Sequence, residues 1–132
     1  MKAIVHFCAA AATTVLLSVA PAQAHHSFPA TYQIDQTIKI KGKVVQFMFR
    51  NPHSVIHVLA PDPENGQEVR WAVEWAAAGA LQRDGVATRE ILRPGDVVLI
   101  EGAPGRNPAD HKIRLNHIER PSDGWKWGGS FD

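Results

Sequence analysis

The chain has 132 residues, with 14 Lys and Arg against 13 Asp and Glu, and a single cysteine. This length allows one compact domain with its own core but not two. The near balance of charge argues against a nucleic-acid binder, because binding to polyanions needs an excess of clustered cations. A disulfide-rich scaffold is excluded as well, because one cysteine cannot form a bridge within the chain.

Residues 1–24 have the pattern of a signal peptide. An uncharged apolar stretch follows Met1-Lys2 and leads to Pro21-Ala22-Gln23-Ala24, which supplies small residues at both positions that a signal peptidase inspects. The apolar stretch is shorter than the roughly 20 residues that a membrane anchor needs. We therefore predict cleavage after Ala24, a periplasmic or secreted location, and a processed protein that is not an integral membrane protein.

Processing after Ala24 would leave 132 − 24 = 108 residues. It would remove Lys2 and Cys8, so the processed chain would carry 13 cationic and 13 anionic side chains and no thiol. Burial of apolar side chains must then hold the fold. The four tryptophans, four of the five phenylalanines and many aliphatic residues remain after processing and can supply that burial.

The processed chain begins with residues 25–36, in which apolar residues follow no regular spacing. This segment is predicted to form an extended N-terminal arm. The β-rich run at 37–49 predicts a first strand that bends at Gly42, since glycine permits a sharp bend. Asn51-Pro52-His53 ends this strand, because proline lacks the N–H that a strand ladder needs. The alternation of apolar and polar residues at 54–59 predicts a second strand.

Three further strands and one helix are predicted after that point. Turn formers at 61–66 predict a hairpin that leads into a third strand at 68–75. The alanine-rich segment 76–83 predicts a short helix. A continuous apolar run at 97–102 predicts a buried strand, and 111–119 predicts the last one.

The third strand has the clearest alternation in the chain. Val69, Trp71 and Val73 share one face, and we expect this face to be buried against residues 97–100 of the following strand. Trp75 continues the same face. We therefore expect Trp71 and Trp75 in the core rather than on a surface that stacks against a ligand.

Five strands with a helix between the third and the fourth form the order of an OB-type barrel. We therefore predict a mainly β fold, a small five-stranded OB-like barrel with one short helix between strands 3 and 4. A small open β-sandwich with a decorating helix is the alternative. The predicted organisation is a signal peptide at 1–24, an N-terminal arm at 25–36, the OB-like domain at 37–120 and a Gly- and Trp-rich tail at 121–132.

Five segments of the chain together resemble a known family. They are His25-His26-Ser27-Phe28, Lys41-Gly42-Lys43-Val44, Asn51-Pro52-His53, Trp71 to Glu74 and Leu92-Arg93-Pro94-Gly95-Asp96. These segments resemble the secreted bacterial proteins grouped as domain-of-unknown-function family 6152, over nearly the whole processed chain. The resemblance implies secretion and a compact β domain, and it implies no established activity. Residues 74–78 depart from the family pattern in being rich in alanine.

Cleavage after Ala24 would give His25 a free α-amine next to its own imidazole. Such an amine has a pKa of about 8 and loses its proton readily to a competing metal. Cu(II) prefers nitrogen ligands in a tetragonal plane, and His25 would supply two of them. At least one of His26, His53 or His111 must then supply another, so these four histidines are the candidate copper ligands.

Simpler interpretations exist for several of these side chains. His25 and His26 can also form a solvated chain end, and His57 on an apolar face is more typical of a core or hydrogen-bonded histidine than of a ligand. For a copper site, the arm must be pinned to the barrel, and we expect Phe28 and Tyr32 to pin it. A solvated carboxylate on the sheet face is the simpler interpretation of Glu74, and an acceptor for a histidine is the alternative.

The sequence contains no nucleophile paired with a base, no phosphate loop and no cysteine-based zinc spacing, so we do not expect hydrolytic catalysis. The leading hypothesis is a non-enzymatic periplasmic or secreted binding protein that holds copper through His25. The alternative is a metal-free interaction module, in which the barrel face or the tail with Trp125 and Trp127 docks on a periplasmic or membrane protein complex. A redox enzyme with a terminal-histidine copper is a weaker third hypothesis, because nothing in the sequence suggests an extended substrate surface.

Overall fold

The computed structural model of the protein describes residues 27–128. The predicted signal peptide, His25 and His26 lie outside the described residues. The described part is mainly β, and none of its helices is long and apolar enough to cross a membrane. The strands are β1 (Ile38–Met48), β2 (Val55–Pro61), β3 (Glu68–Glu74), β4 (Val97–Pro104), β5 (Lys112–Arg120) and β6 (Trp125–Gly128), and the helices are α1 (Phe28–Thr31), α2 (Ala78–Arg83) and a 3₁₀ turn (Pro108–Asp110).

Five of the strands close into a barrel. The sheet has the order β3-β2-β1-β4-β5, and a parallel pairing of β3 with β5 joins its two edges. With α2 between β3 and β4, this is the predicted OB-like barrel. The open-sandwich alternative is wrong, because the two edge strands pair with each other. β6 lies outside the barrel and pairs with β5.

β1 takes part in both halves of the barrel. Its first half, up to Lys43, pairs with β4, and its second half pairs with β2. A Cβ atom at Gly42 would collide with the carbonyl oxygen of Leu59 on β2. Only glycine therefore allows β1 and β2 to approach this closely, and the register irregularity between Val44 and Gln46 follows directly after it.

Alternate residues of the strands fill the barrel. Trp71 is 5% exposed, Val73 0% and Ile100 1%, and the half-buried Val69 packs against the same cluster. The predicted burial is confirmed for Trp71 and Val73, which share one core cluster with Val98 and Ile100, and only in part for Val69. It is wrong for Val97, which is 41% exposed, because a strand in a closed barrel turns every second side chain to the outside.

α2 begins at Ala78, two residues later than predicted. The residue before it, Ala77, makes no capping hydrogen bond through its side chain. The β1–β2 loop satisfies the first backbone donors instead. The backbone N of Ala78 donates to the carbonyl of Arg50 (3.1 Å) and the backbone N of Gly79 donates to Oδ1 of Asn51 (3.1 Å). The start of the helix therefore fixes the β1–β2 loop.

The sequence predicts an extended N-terminal arm, but the described part of the arm is not extended throughout. Its first described residues form α1, a single helical turn with Pro29 near its start, where the missing N–H of proline costs nothing. Tyr32 follows, pairs with Gly105 and is 2% exposed. The backbone N of Gln33 donates to the carbonyl of Pro104 (2.9 Å). The predicted anchoring of the arm by Tyr32 is therefore confirmed.

The tail forms a strand that the sequence did not predict. β6 pairs with β5 from His117 to Arg120, beyond the residues of β5 that pair with β3. Its two tryptophans, Trp125 and Trp127, lie 6.3 Å and 5.2 Å from Trp75 between ring centres. Both side chains are half-buried. Trp125 and Trp127 thus pack on the chain's own barrel.

Candidate functional site

His53 lies in the β1–β2 loop, two residues before β2 begins at Val55. The next residue, Ser54, is fully buried. Its backbone N donates to the carbonyl of Ala76 (3.0 Å), and its carbonyl accepts from the backbone N of Trp75 (2.8 Å). Together with the contacts between this loop and α2, these hydrogen bonds fix the backbone on both sides of His53.

Glu74 joins His53 to Tyr32. It is the last residue of β3, and its Oε1 lies 2.5 Å from Nδ1 of His53. Its Oε2 accepts a hydrogen bond from the Tyr32 hydroxyl. Both carboxylate oxygens are therefore engaged. The imidazole is held through Nδ1, which leaves Nε2 as the ring nitrogen that Glu74 does not use.

The Tyr32 hydroxyl acts only as a donor in this cluster. Burial raises the pKa of Tyr32 far above its usual value, and the hydrogen bond to Glu74 and the negative charge of that carboxylate raise it further. The positive charge of Arg114 opposes the shift. Tyr32 therefore remains protonated at physiological pH and keeps its hydrogen bond to Glu74.

Phe28 and Arg114 complete the cluster. Arg114 pairs with Glu74 in the β3–β5 ladder, and its guanidinium carbon lies 3.7 Å from the centre of the Phe28 ring. The Phe28 ring in turn lies 5.7 Å from the His53 ring. Burial lowers the pKa of Arg114, and the charge of Glu74 opposes this shift. α1 is thus held directly against His53 by a cation–π contact and a ring contact.

A cleft of about 360 Å³ opens beside this cluster, and we call it the His53 cleft. Its walls include Tyr32, His53 and Glu74, together with the cations Arg50 and Lys112. A second cavity of about 220 Å³ lies next to it, towards α2. The His53 cleft therefore places an oriented imidazole, which can bind a metal, and the carboxylate of Glu74 beside two cations, which can attract an anion.

His111 forms a second pair with a carboxylate. Its Nε2 lies 3.1 Å from Oδ2 of Asp62, and its ring meets the Trp71 ring edge-on, with 5.2 Å between centres. Asp62 also accepts a hydrogen bond from the backbone N of Glu64 (2.9 Å) within the β2–β3 turn. The contact between Nε2 of His111 and Asp62 thus connects the β4–β5 loop to the β2–β3 turn.

The structure does not bring the candidate ligands His53 and His111 into one site, since each meets its own carboxylate. Among residues 27–128, no three His, Cys, Asp or Glu side chains are grouped so that they could hold a metal ion. His25 and His26 lie outside this part of the chain, so a site that includes them stays a prediction. His57 is half-buried, and burial followed by the charge of Arg70 lowers its pKa.

Sequence reasoning missed part of this site. A solvated carboxylate was the simpler interpretation of Glu74, and it is wrong, because the side chain is only 24% exposed and both its oxygens have partners. The alternation of β3 did place Glu74 opposite the tryptophans. Its partners Tyr32 and His53 meet it only through the tertiary fold, and no local pattern could have identified them.

Comparison with known proteins identifies the family to which the chain belongs. Neither a curated protein nor a solved structure matches the chain. A family model described as "Family of unknown function (DUF6152)" matches residues 12–114, which include His25, the β1–β2 loop and Glu74. The chain belongs to this family of unknown function and is a small β-barrel member of it.

Proposed function

We propose that the protein is an exported, non-enzymatic β-barrel that binds copper between the N-terminal histidine of its processed chain and His53. Export is inferred from the signal-peptide pattern of residues 1–24. Processing after Ala24 creates the α-amine on which the site depends. The copper ion would then be held by the amine and imidazole of His25 and by the imidazole of His53.

One observation supports this proposal above the others. Glu74 holds His53 through Nδ1 at 2.5 Å, while Phe28, three residues after His25, packs against the same imidazole at 5.7 Å between ring centres. Metal-binding histidines commonly donate their second ring nitrogen to a carboxylate, which fixes the tautomer and orients the ring. Glu74 is in the position to serve this purpose.

Chain length is compatible with the proposed ligand set. The three residues from Phe28 back to His25 can span about 10 Å. That reach is greater than the separation between the Phe28 and His53 rings. An amine, the His25 imidazole and the His53 imidazole give three nitrogens, and His26 is available as a fourth. His111 is not part of this site, because it pairs with Asp62 and its ring packs against Trp71, away from the cleft beside His53.

Copper titration tests the proposal directly. Cu(II) is titrated into exported protein whose mass confirms a terminus at His25, and into the same protein with one extra residue before His25. We expect the extra residue to weaken binding about tenfold or more, because it moves the amine away from its imidazole. His53→Ala should weaken binding as well, and His117→Ala serves as the matched histidine control.

Equal affinity for the two termini would overturn the terminal-histidine site. The metal-free interaction module would then be the better hypothesis for this barrel. A mature terminus more than two residues away from His25 would also remove the amine from the site. Mass spectrometry of the exported protein decides this point before any metal is added.

A further inference from the structure

The turn between β2 and β3 contains Asn65 followed by Gly66, and both residues are exposed. The side-chain carbonyl carbon of an asparagine can be attacked by the backbone N of the next residue, which closes a succinimide ring. A side chain on that next residue hinders the attack, and glycine has none. Gly66 has a φ of +74°, and none of the described atoms lies within 4 Å of the position that a Cβ would take. The turn therefore leaves room for ring closure.

The other three asparagines of the chain do not offer these conditions. Asn51 and Asn107 are each followed by proline, whose backbone N has no hydrogen to lose and so cannot form the neutral ring. Asn116 lies within β5 and is followed by His117, a bulky residue whose backbone is held between β4 and β6. Asn65 is therefore the asparagine at which ring closure is least hindered.

Hydrogen bonds within the turn orient the side chain of Asn65. Its Oδ1 accepts from the backbone N of Gln67 (2.9 Å), and this donor would stabilise the negative charge that develops on Oδ1 during the attack. Its Nδ2 lies 3.5 Å from Oδ2 of Asp62. The backbone N of Gly66 donates to the carbonyl of Asp62 (2.7 Å), and this hydrogen bond must open before the attack. The opening is local, because residues 63–67 are all exposed.

We propose that Asn65 is a site of spontaneous deamidation, with water as the only co-reactant. The backbone N of Gly66 loses its proton and forms a bond to Cγ of Asn65, while the bond from Cγ to Nδ2 breaks and ammonia leaves. Water then opens the succinimide. Cleavage of one C–N bond of the ring gives aspartate, and cleavage of the other gives isoaspartate, in which the backbone runs through the former side chain. The reaction involves no redox step and no copper, so this inference is independent of the proposed function.

The product alters a contact between two loops. A carboxylate at position 65 puts a second negative charge where Nδ2 now meets Asp62, and like charges repel at this distance. Asp62 is 9% exposed and is the partner of His111 in the β4–β5 loop. Isoaspartate also lengthens the backbone of a turn that is closed by the hydrogen bond from the backbone N of Asp62 to the carbonyl of Gln67 (2.8 Å). We therefore expect deamidation to loosen the turn from the β4–β5 loop.

Peptide mass spectrometry of the full chain after incubation at pH 8 tests the site. Replacement of the amide NH₂ by OH raises the mass of the peptide that carries residue 65, and chromatography separates aspartate from isoaspartate. We expect Asn65 to convert at least about tenfold faster than Asn116, and Asn51 and Asn107 to remain unchanged. Asn65→Gln is the matched control, because it keeps the amide but needs a larger ring, and its peptide should keep its mass. Conversion of Asn65 no faster than that of Asn116 would overturn the proposal.

The effect on the contact between the loops is measured separately. The imidazole resonances of His111 and His53 are followed by NMR in fresh protein, in fully converted protein and in Asn65→Asp. We expect the His111 resonances to shift in the converted protein and in the variant, and those of His53, which pairs with Glu74, to stay in place. The isoaspartate form should melt at a lower temperature than Asn65→Asp, because only isoaspartate changes the backbone. Unshifted His111 resonances in fully converted protein would overturn the link from the turn to the β4–β5 loop.

Discussion

Two histidine–carboxylate pairs, His53 with Glu74 and His111 with Asp62, use the same chemistry in different surroundings. Glu74 contacts Nδ1 of His53, and Asp62 contacts Nε2 of His111. Beside His53 lie an open cleft and the first described turn of the chain. Against His111 lies Trp71, a core residue.

The surroundings decide what each pair can do. Asp62 also binds the backbone of the turn that carries it, so its pair with His111 joins two loops. Glu74 is bound by a protonated tyrosine and lies beside the half-buried Arg114, so its pair with His53 orients a ring next to a cleft. A histidine near a carboxylate is therefore not by itself a ligand site, and the surroundings of the ring, a cleft at His53 and the Trp71 ring at His111, distinguish the two.

The largest expected effect is on the stability of the fold and concerns Trp71, which packs against His111. Trp71→Ala should lower the free energy of unfolding by about 3 to 5 kcal/mol, the usual cost of removing a buried aromatic side chain. Urea denaturation measures it. Trp125→Ala removes the same side chain from a half-buried position and should cost clearly less. A loss under about 1 kcal/mol at Trp71 would contradict its position in the core.

The next prediction compares the two histidine–carboxylate pairs in their effect on copper affinity. Glu74→Gln should weaken Cu(II) binding about 10- to 100-fold, because the oriented His53 ring loses its charged acceptor. Asp62→Asn makes the same change at the other pair and should leave copper affinity unaltered. Isothermal titration of both variants with Cu(II) compares them. Equal losses in the two variants would mean that the pairs do not differ in the way that we propose.

Tyr32→Phe tests how firmly Glu74 is held. This variant removes the donor from a charged hydrogen bond, so the free energy of unfolding should fall by about 1.5 kcal/mol. Most of this loss should disappear in the Glu74→Gln background, because the two side chains interact directly. A double-mutant cycle in urea measures the coupling. Fully additive effects would show that the hydroxyl does not stabilise the fold through Glu74.

The smallest effect concerns His57, which has no carboxylate partner among the described residues. Burial, and then the charge of Arg70, lower its pKa below the ordinary 6.5. The unfolded chain therefore binds more protons than the folded one as the pH falls below about 6.5, and stability decreases there. His57→Gln should reduce the loss of stability between pH 8 and pH 5.5. Urea denaturation at both pH values measures this loss of stability. If the variant loses as much stability as the unaltered protein, groups other than His57 cause the loss.

The site was only partly predictable from the sequence. Tyr32 was predicted as an anchor of the arm, and it is one, but its hydroxyl contact with Glu74 joins residues 42 positions apart. Val97 was predicted to be buried because it belongs to a continuous apolar run, and a run of that kind does not reveal which residues turn outward. Arg50 and Lys112 carried no sequence signal for a shared cleft.

The sequence by itself determined the barrel. Its alternating strands, the glycine in β1 and the alanine-rich segment before β4 are local patterns, and local patterns carry the order of elements. Only the tertiary structure decided that Glu74 meets His53 and that Asp62 meets His111. The closing pairing of β3 with β5 fixes which loops become neighbours, and residues close in space but distant in the chain leave no periodic signal in the sequence.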